Sequence, residues 1–210
     1  AGVDSSSGTI NISSTTFAPS ASIGSSGNKI ANLNVINSGS FTASNDVYVS
    51  DILVTNGNFN LNGSDSLTIF GNLSGAGSGQ INLGSNSQTI DGNLTLTSGD
   101  ILATELSSSI AGNLTVTGTA TINANSQLEI TTSSDQGYIV SGSTFTLVSA
   151  TDGSAINAIN DSNISIDGSA SNSNGLLTYT TASISDSLTL TVTRLDATQV
   201  TDNKNAQAIY

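Results

Sequence analysis

Apolar and polar residues alternate in short runs along most of the chain, as in Leu94-Thr-Leu96-Thr97, Leu114-Thr-Val116-Thr117 and Phe59-Asn-Leu61. A period of two sets the apolar members on one face of a strand. Gly, Asn, Ser and Asp separate the runs, and these residues turn a chain at little steric cost. The runs also recur. Leu67-Thr-Ile-Phe-Gly-Asn-Leu73, Gln88-Thr-Ile-Asp-Gly-Asn-Leu94 and Ser108-Ser-Ile-Ala-Gly-Asn-Leu114 are near copies, with Gly-Asn pairs starting at Gly71, Gly92 and Gly112. A repeat of about 20 residues built from strand-like runs is the mark of a coil that stacks on itself.

Aligned on that phrase, the chain reads as three apolar columns. Leu33, Ile52, Leu73, Leu94 and Leu114 form one; Phe41, Phe59, Ile81, Ile101 and Ile122 a second; Val49, Ile69, Ile90, Ile110 and Ile130 a third. Three short strands in each turn of roughly 20 residues, each lying about 4.8 Å from its counterpart, describe an all-β, parallel β-helix. Its connections are expected to be right-handed. About five turns are legible between residues 32 and 130, and residues 8–30 read as one more, degraded turn with Ile10, Ile12, Ile23 and Ile30 inside. Gly75, Gln88 and Ser108 fall where the columns ask for aliphatic residues.

Near residue 131 the repeat stops and longer alternating segments begin: Ser143–Ser149, Ser162–Asp167, Gly175–Thr180 and Asp186–Arg194. Separated by turn clusters, they read as antiparallel hairpins. A coil needs its last turn covered, because an open end offers unpaired backbone to other chains. The expected organisation is therefore β-helix turns over 1–130, a hairpin cap over 131–196 and a linker over 197–210.

Composition narrows the partners. Hydrophobic residues make up 36% of the chain, below the roughly 45–50% of an ordinary domain, which fits a slender interior rather than a wide core. The net charge is −12, with Lys29, Arg194 and Lys204 the only cations. Nucleic acid is a poor partner for such a chain, and so is an anionic lipid surface. Cysteine is absent, which is compatible with export, and no apolar run approaches the length of a membrane helix.

With no histidine or cysteine, neither a Ser-His-Asp nor a Cys-His system can be assembled, nor a zinc site of the usual type. Glycoside hydrolysis needs two carboxylates on one patch. Asp91, Asp100 and Glu105 share a turn, with Asp65 in the turn before; they read as turn and surface residues. Asp152-Gly-Ser154 and Asp167-Gly-Ser169 read as plain turns rather than calcium loops. Thr95/Thr97 and Thr115/Thr117 are expected to stack as outward ladders, and the Asn-x-Ser/Thr triplets at Asn72, Asn93 and Asn113 as by-products of the repeat. No catalytic, metal-binding or cofactor-binding residue is nominated, and the chain is expected not to be an enzyme.

The C-terminal phrases Thr144-Phe-Thr-Leu-Val-Ser-Ala150, Leu177-Thr-Tyr179 and Leu188-Thr-Leu-Thr-Val-Thr-Arg194 resemble the end of an autotransporter passenger of type V secretion. Asn205-Ala-Gln-Ala-Ile-Tyr210 resembles the approach to that family's membrane barrel, and the repeats are similar to the Asn- and Ser-rich passengers of surface cell antigens. The resemblance implies export through the outer membrane, display on the bacterial surface, an autochaperone-like cap and a membrane barrel after Tyr210. A host-cell receptor or a second copy is the partner it suggests. The alternative from another class is a β-helical protein that binds or cleaves polysaccharide, for which five Phe and four Tyr supply few stacking surfaces.

Overall fold

The computed structural model describes residues 6–64, 66–133, 139–152, 154–174 and 176–195. The coil opens with β1 (Ser7–Ser13) and β2 (Thr16–Phe17), then β3 (Ile30–Ile36) and β4 (Ser40–Thr42), β5 (Val47–Thr55) and β6 (Asn58–Asn60), and β7 (Thr68–Gly75) and β8 (Gln80–Asn82). The following turns are divided among β9 (Ser87–Ile90), β10 (Leu94–Leu96) and β11 (Ile101–Leu106), and then β12 (Asn113–Val116), β13 (Ala120–Ile122) and β14 (Gln127–Thr132). β15 (Ser143–Ala150), β16 (Ala155–Ile156) and β17 (Ile164–Ile166) make the last turn. β18 (Ser173–Asn174), β19 (Leu177–Ile184) and β20 (Ser187–Arg194) pair antiparallel at its end. Each coil strand pairs in parallel with its counterpart in the next turn, so the molecule is an all-β parallel solenoid closed by hairpins.

Each turn has three faces. The first holds the start of β5 and β7, then β9, β12 and the end of β15. The second holds β1, most of β3, the ends of β5 and β7, then β10, β13 and β16. The third holds β2, β4, β6, β8, β11, β14 and β17. The Gly-Asn phrase makes the corner between the first two faces. A Cβ on Gly71 would lie 1.6 Å from the Val49 carbonyl oxygen, and one on Gly92 2.2 Å from the Gly71 oxygen. Only glycine allows corner backbones to lie so close. The following Asn then ties the corners together. Asn72 Nδ2 donates to Asp51 Oδ1 (2.9 Å), the Asn93 N–H donates to Asn72 Oδ1 (3.0 Å) and the Thr119 N–H donates to Asn93 Oδ1 (2.9 Å).

Inside, Leu33, Ile52, Leu73 and Leu94 stack in register as the spacing predicts, with Ile10 before them. On the third face Phe17, Phe41, Phe59 and Ile81 form one column, the Phe41 and Phe59 rings stacked at 5.2 Å. Of the degraded turn, Ile12 is buried, and Ile10, Ile23 and Ile30 are half-buried against the core.

The third column departs from the expected alignment at Val49, and the other two beyond residue 96. Leu94 is followed by Ala120, and Leu114 lies instead between Gln88 and Val148 on the first face. Ser107–Ile110 displaces Leu114. Ser107 Oγ accepts from the Ile110 N–H (3.0 Å) and donates to the Ile110 carbonyl (3.1 Å), closing a tight turn that protrudes from the coil. Its extra residues shift the third copy of the phrase by one face. Gly112 therefore packs on Gly84, while Gly118 takes the place over Gly92. Ile110, expected inside, is 55% exposed. The Phe41–Phe59–Ile81 column continues through Leu102 and Leu128, not Ile101 and Ile122. Ile122 follows Leu96, Ile69 follows Val47 rather than Val49, and Ile130 lies over Thr104.

At the C-terminal end the hairpins form as expected for Ser143–Ser149 and Asp186–Arg194, with β19 fully paired to β20. Ser162–Asp167 does not join them. Its strand β17 lies parallel on β14, Ile164 on Leu128 and Ile166 on Ile130, so parallel pairing continues to Ile166. β15 serves both systems: Val148–Ala150 pair in parallel with β12, while Ser143–Ser149 pair antiparallel with β20 across a bulge between Thr146 and Val148. The hairpin is fastened across the last turn by Thr181 Oγ1 donating to the Ile159 carbonyl (2.9 Å) and Ser183 Oγ to that of Ile156 (2.6 Å). Tyr179, Leu188, Leu190 and Val192 are buried beneath it. The expected linker, 197–210, lies outside the described residues.

Candidate functional site

The acids that share a turn in the sequence do not share a patch. Asp91 stands at the corner of the first two faces and accepts a hydrogen bond from Thr117 Oγ1 (3.0 Å). Asp100 is fully buried at the next corner. Its Oδ1 accepts from the backbone N–H groups of Ser78 and Gly79 (both 3.1 Å), and Oδ2 accepts from the Thr97 N–H (2.7 Å) and Oγ1 (2.8 Å). Gly75 leaves the space it fills, since a Cβ there would lie 2.3 Å from the Asp100 carboxylate. Asp100 thus secures a turn. Glu105 projects from the third face, and Asp65 lies outside the described residues.

The other interruption in the columns is also a polar clamp. Gln88 is buried; its Nε2 donates to the Leu61 (2.7 Å) and Ser64 (3.0 Å) carbonyls, and its Oε1 accepts from the Leu67 N–H (2.6 Å). One side chain therefore satisfies backbone groups of Leu61, Ser64 and Leu67, as buried polar groups require.

Outward side chains of β8, β11 and β14 line a shallow groove of about 230 Å³ on the third face. Ala103, between Asn82 and Glu129 in register, is the small residue that opens it. Glu129 extends across Ala103, and its Oε2 accepts from Gln80 Nε2 (2.7 Å). Glu105 stands opposite Thr131, on the diagonal from Glu129. The groove therefore presents two carboxylates and three amides, Asn62, Gln80 and Asn82, and no cation occurs in the sequence between Lys29 and Arg194. Such a surface can hydrogen-bond hydroxyl groups or attract cations. Gln88, Glu129 and Gln80 were not singled out for chemistry by the sequence; Glu129 and Gln80 become neighbours only because two rungs bring them together.

A second groove, of about 360 Å³, lies between the Ser107–Gly112 protrusion and the start of β15, with Ile110 at its rim and Phe145 in its lining. On the first face, Tyr48 and Phe70 stack with ring centroids 4.5 Å apart. The threonine pairs do not form one ladder. Thr95 pairs with Ser74 and Thr121 on the second face, while Thr115 pairs with Thr89 and Ser149 on the first.

The two turns weighed for calcium are engaged in the backbone. Asp167 Oδ1 accepts from the Thr132 N–H (2.8 Å), and Oδ2 from Thr132 Oγ1 (2.7 Å) and Asn174 Nδ2 (3.1 Å). Ser154 Oγ donates to the Asp152 carbonyl and accepts from the Ala120 N–H, both at 3.0 Å. Among the described residues no group of three or more His, Cys, Asp or Glu side chains converges. Burial, and then the Asp167 charge, raise the pKa of Tyr179 above the ordinary 10.0. No family model, no curated protein and no solved structure matches the chain, so its functional reading stands on its own residues.

Proposed function

We propose that the chain is a non-catalytic, surface-displayed segment of a bacterial autotransporter passenger, a stalk with an autochaperone-like cap that promotes its own secretion and folding. One observation carries the reading: the hairpin β19–β20 closes the coil, and β15 is at once the last parallel rung and the first antiparallel strand. A module that forms its own hairpin contacts and presents a ready parallel edge to β12 gives the coil a finished end on which preceding turns can stack. Nearest-neighbour stacking of this kind lets folding propagate from one stable end. The shaft carries acids without cations between Lys29 and Arg194, which favours solubility over collapse onto anionic surfaces.

In this reading the protein lies outside the outer membrane, its barrel follows Tyr210, and its partner is a host-cell receptor or another copy. The experiment is surface labelling of intact producing cells. Antibody against the coil and added protease should reach it without lysis, and deletion of Leu177–Arg194 should lower the surface amount several-fold. Detection only after lysis refutes the proposal.

The Glu105–Glu129 groove is the observation that favours the alternative, polysaccharide binding or cleavage. Release of reducing ends from a polysaccharide, abolished by Glu129→Gln, would replace the first reading with the second.

A further inference from the structure

The outward positions of the third face form ladders. One runs through Thr42, Asn60, Asn82, Ala103 and Glu129 in register, and beside it Ser40, Asn58, Gln80 and Ile101 form another. In the first ladder each amide bonds back to the rung before it. Asn60 Nδ2 donates to Ser40 Oγ (3.0 Å), and Asn82 Nδ2 donates to Asn60 Oδ1 (3.4 Å). Ala103 ends the series, because its methyl group offers nothing for a neighbouring amide to meet. Glu129 leans over it to Gln80 instead, and the groove of about 230 Å³ is the space left open.

We propose that this groove binds a stretch of uncharged saccharide, one or two rings of a longer chain laid across the rungs. The free hydrogen-bonding groups select the ligand class. Among the described residues, no hydrogen bond engages the side chains of Glu105, Asn62 and Thr131, nor Glu129 Oε1 and Gln80 Oε1. Free acceptor oxygens therefore outnumber free N–H donors along the wall. Hydroxyl groups match such a wall, since each donates to a carboxylate or amide oxygen and accepts from Asn62 Nδ2 or the second Gln80 N–H. A lone ammonium group would leave the amide donors unused. The bond to Gln80 holds the Glu129 carboxylate in place before a ligand arrives, which lowers the ordering cost of binding.

Charge and size narrow the class further. Two carboxylates with no cation near them in the sequence repel uronate and sulfated saccharides. The volume lies below the roughly 300–1,000 Å³ of a site that encloses a whole small molecule, which suits part of a chain that continues past both ends. The groove is shallow and no aromatic ring lines it, so the dissociation constant should lie in roughly the millimolar range. Such binding would supply the displayed coil with a ligand and involves no bond cleavage. It rests on the passenger reading only for where that ligand is met: a titration of the isolated chain reads the groove, surface labelling reads display, and either can fail alone.

Proton–nitrogen NMR spectra of the full chain, titrated separately with cellotriose, maltotriose and tri-N-acetylglucosamine to tens of millimolar, test this. At least one of the three should shift the side-chain amides of Asn62, Gln80 and Asn82 and the backbone amides of Ala103, Glu105 and Glu129 in a saturable way. Trigalacturonate should bind at least about tenfold more weakly. Glu129→Gln should weaken binding about tenfold, as expected for loss of a hydrogen bond to a charged group. Ala103→Asn continues the Asn60–Asn82 ladder into the groove and should abolish the shifts. Both substitutions stand on the outward side of the coil and should keep the parent urea midpoint. No saturable shift with any of the three neutral sugars, equal or tighter binding of trigalacturonate, or undiminished binding to either variant would each overturn the proposal. So would trilysine shifting the same amides where the neutral sugars do not, which would mark a plain acidic patch.

Discussion

Gly75 and Asp100 should behave as one unit. A reader of the repeat would replace Gly75 with Ala or Val to restore the column of Val35 and Val54. The structure places a Cβ there 2.3 Å from the Asp100 carboxylate, inside van der Waals contact. Gly75→Ala must therefore push Asp100 away from its donors, at a cost of about 1–3 kcal/mol for overpacking. Asp100→Ala should cost more. It removes the acceptor for three backbone N–H groups and one hydroxyl. Each buried donor left unmade is worth about 1–3 kcal/mol, reduced where water enters the cavity, so about 3–5 kcal/mol is expected. Asp100→Asn should cost about 2–3 kcal/mol, because its NH₂ replaces one acceptor oxygen and opposes the donors that oxygen served.

The decisive quantity is the coupling. Once Asp100 is Ala, the space beside residue 75 is empty and the added methyl group has room. Gly75→Ala should then cost less than about 0.5 kcal/mol, giving an interaction of about 1–3 kcal/mol between the sites, as for residues in direct contact. Urea unfolding of the four proteins, followed by circular dichroism at 25 °C and compared at equal m-value, measures it. Additivity within about 0.5 kcal/mol would refute the claim that Asp100 occupies the place of the missing side chain.

Other consequences are as direct. Gln88→Leu, which restores an aliphatic column on paper, should destabilise by about 2–4 kcal/mol by stripping the Leu61 and Ser64 carbonyls and the Leu67 N–H of partners; a urea midpoint at or above the parent value would contradict this. Ile110→Ser should change stability by less than about 0.5 kcal/mol, whereas Ile90→Ala, in the buried column, should cost about 2–5 kcal/mol; equal effects would restore the simple 20-residue alignment. Tyr179 has a raised pKa in the folded chain, so the unfolded state loses that proton first as pH rises. Its contribution is complete below the ordinary tyrosine value and is lost as pH climbs through that value toward the folded one. Thermal unfolding should therefore fall steeply above pH 10, and Tyr179→Phe should flatten that limb.

The solenoid was legible in the sequence because its interior is repetitive. Alternation at period two and a Gly-Asn corner every 20 or so residues leave few other architectures, and from Leu33 to Leu94 the expected stack holds residue by residue. The alignment failed where it relied on similarity of phrase rather than on turn length. Ser108–Leu114 resembles the two earlier copies, yet its glycine lies on Gly84 instead of Gly92. A protruding turn preserves alternation while moving the phrase to another face, and period two carries no information about which face a strand joins. Ser162–Asp167 misled for a related reason. An alternating strand looks the same whether its neighbour runs parallel or antiparallel, and only the partner's position decides.

The surface was less legible than the core, and the reason is physical. An inward position must be filled, so Gly75 and Gln88 stood out as departures, and each proved to mark a buried polar clamp. An outward position tolerates most polar residues, so Glu105 and Glu129 look like any solvated acids until two rungs bring Glu129 over Ala103 to Gln80. The distance between residues 80 and 129 in sequence vanishes in a coil that advances about 4.8 Å per turn. Chemistry on a solenoid is therefore written across rungs, at spacings set by turn length. Reading it requires the register that the Ser107–Ile110 protrusion alters. Deleting residues 107–110 should accordingly shorten the protrusion and leave the register in place. The offset from Gln88 to Leu114 would fall from 26 residues to 22, close to the 21 that separate Thr68 from Thr89 in the turn before, so Leu114 would still lie over Gln88 on the first face. A cooperative urea transition, with the chain near Gln88 still protected from protease, is the expected result. New cleavage near residue 88 would show that turn length does not set the register.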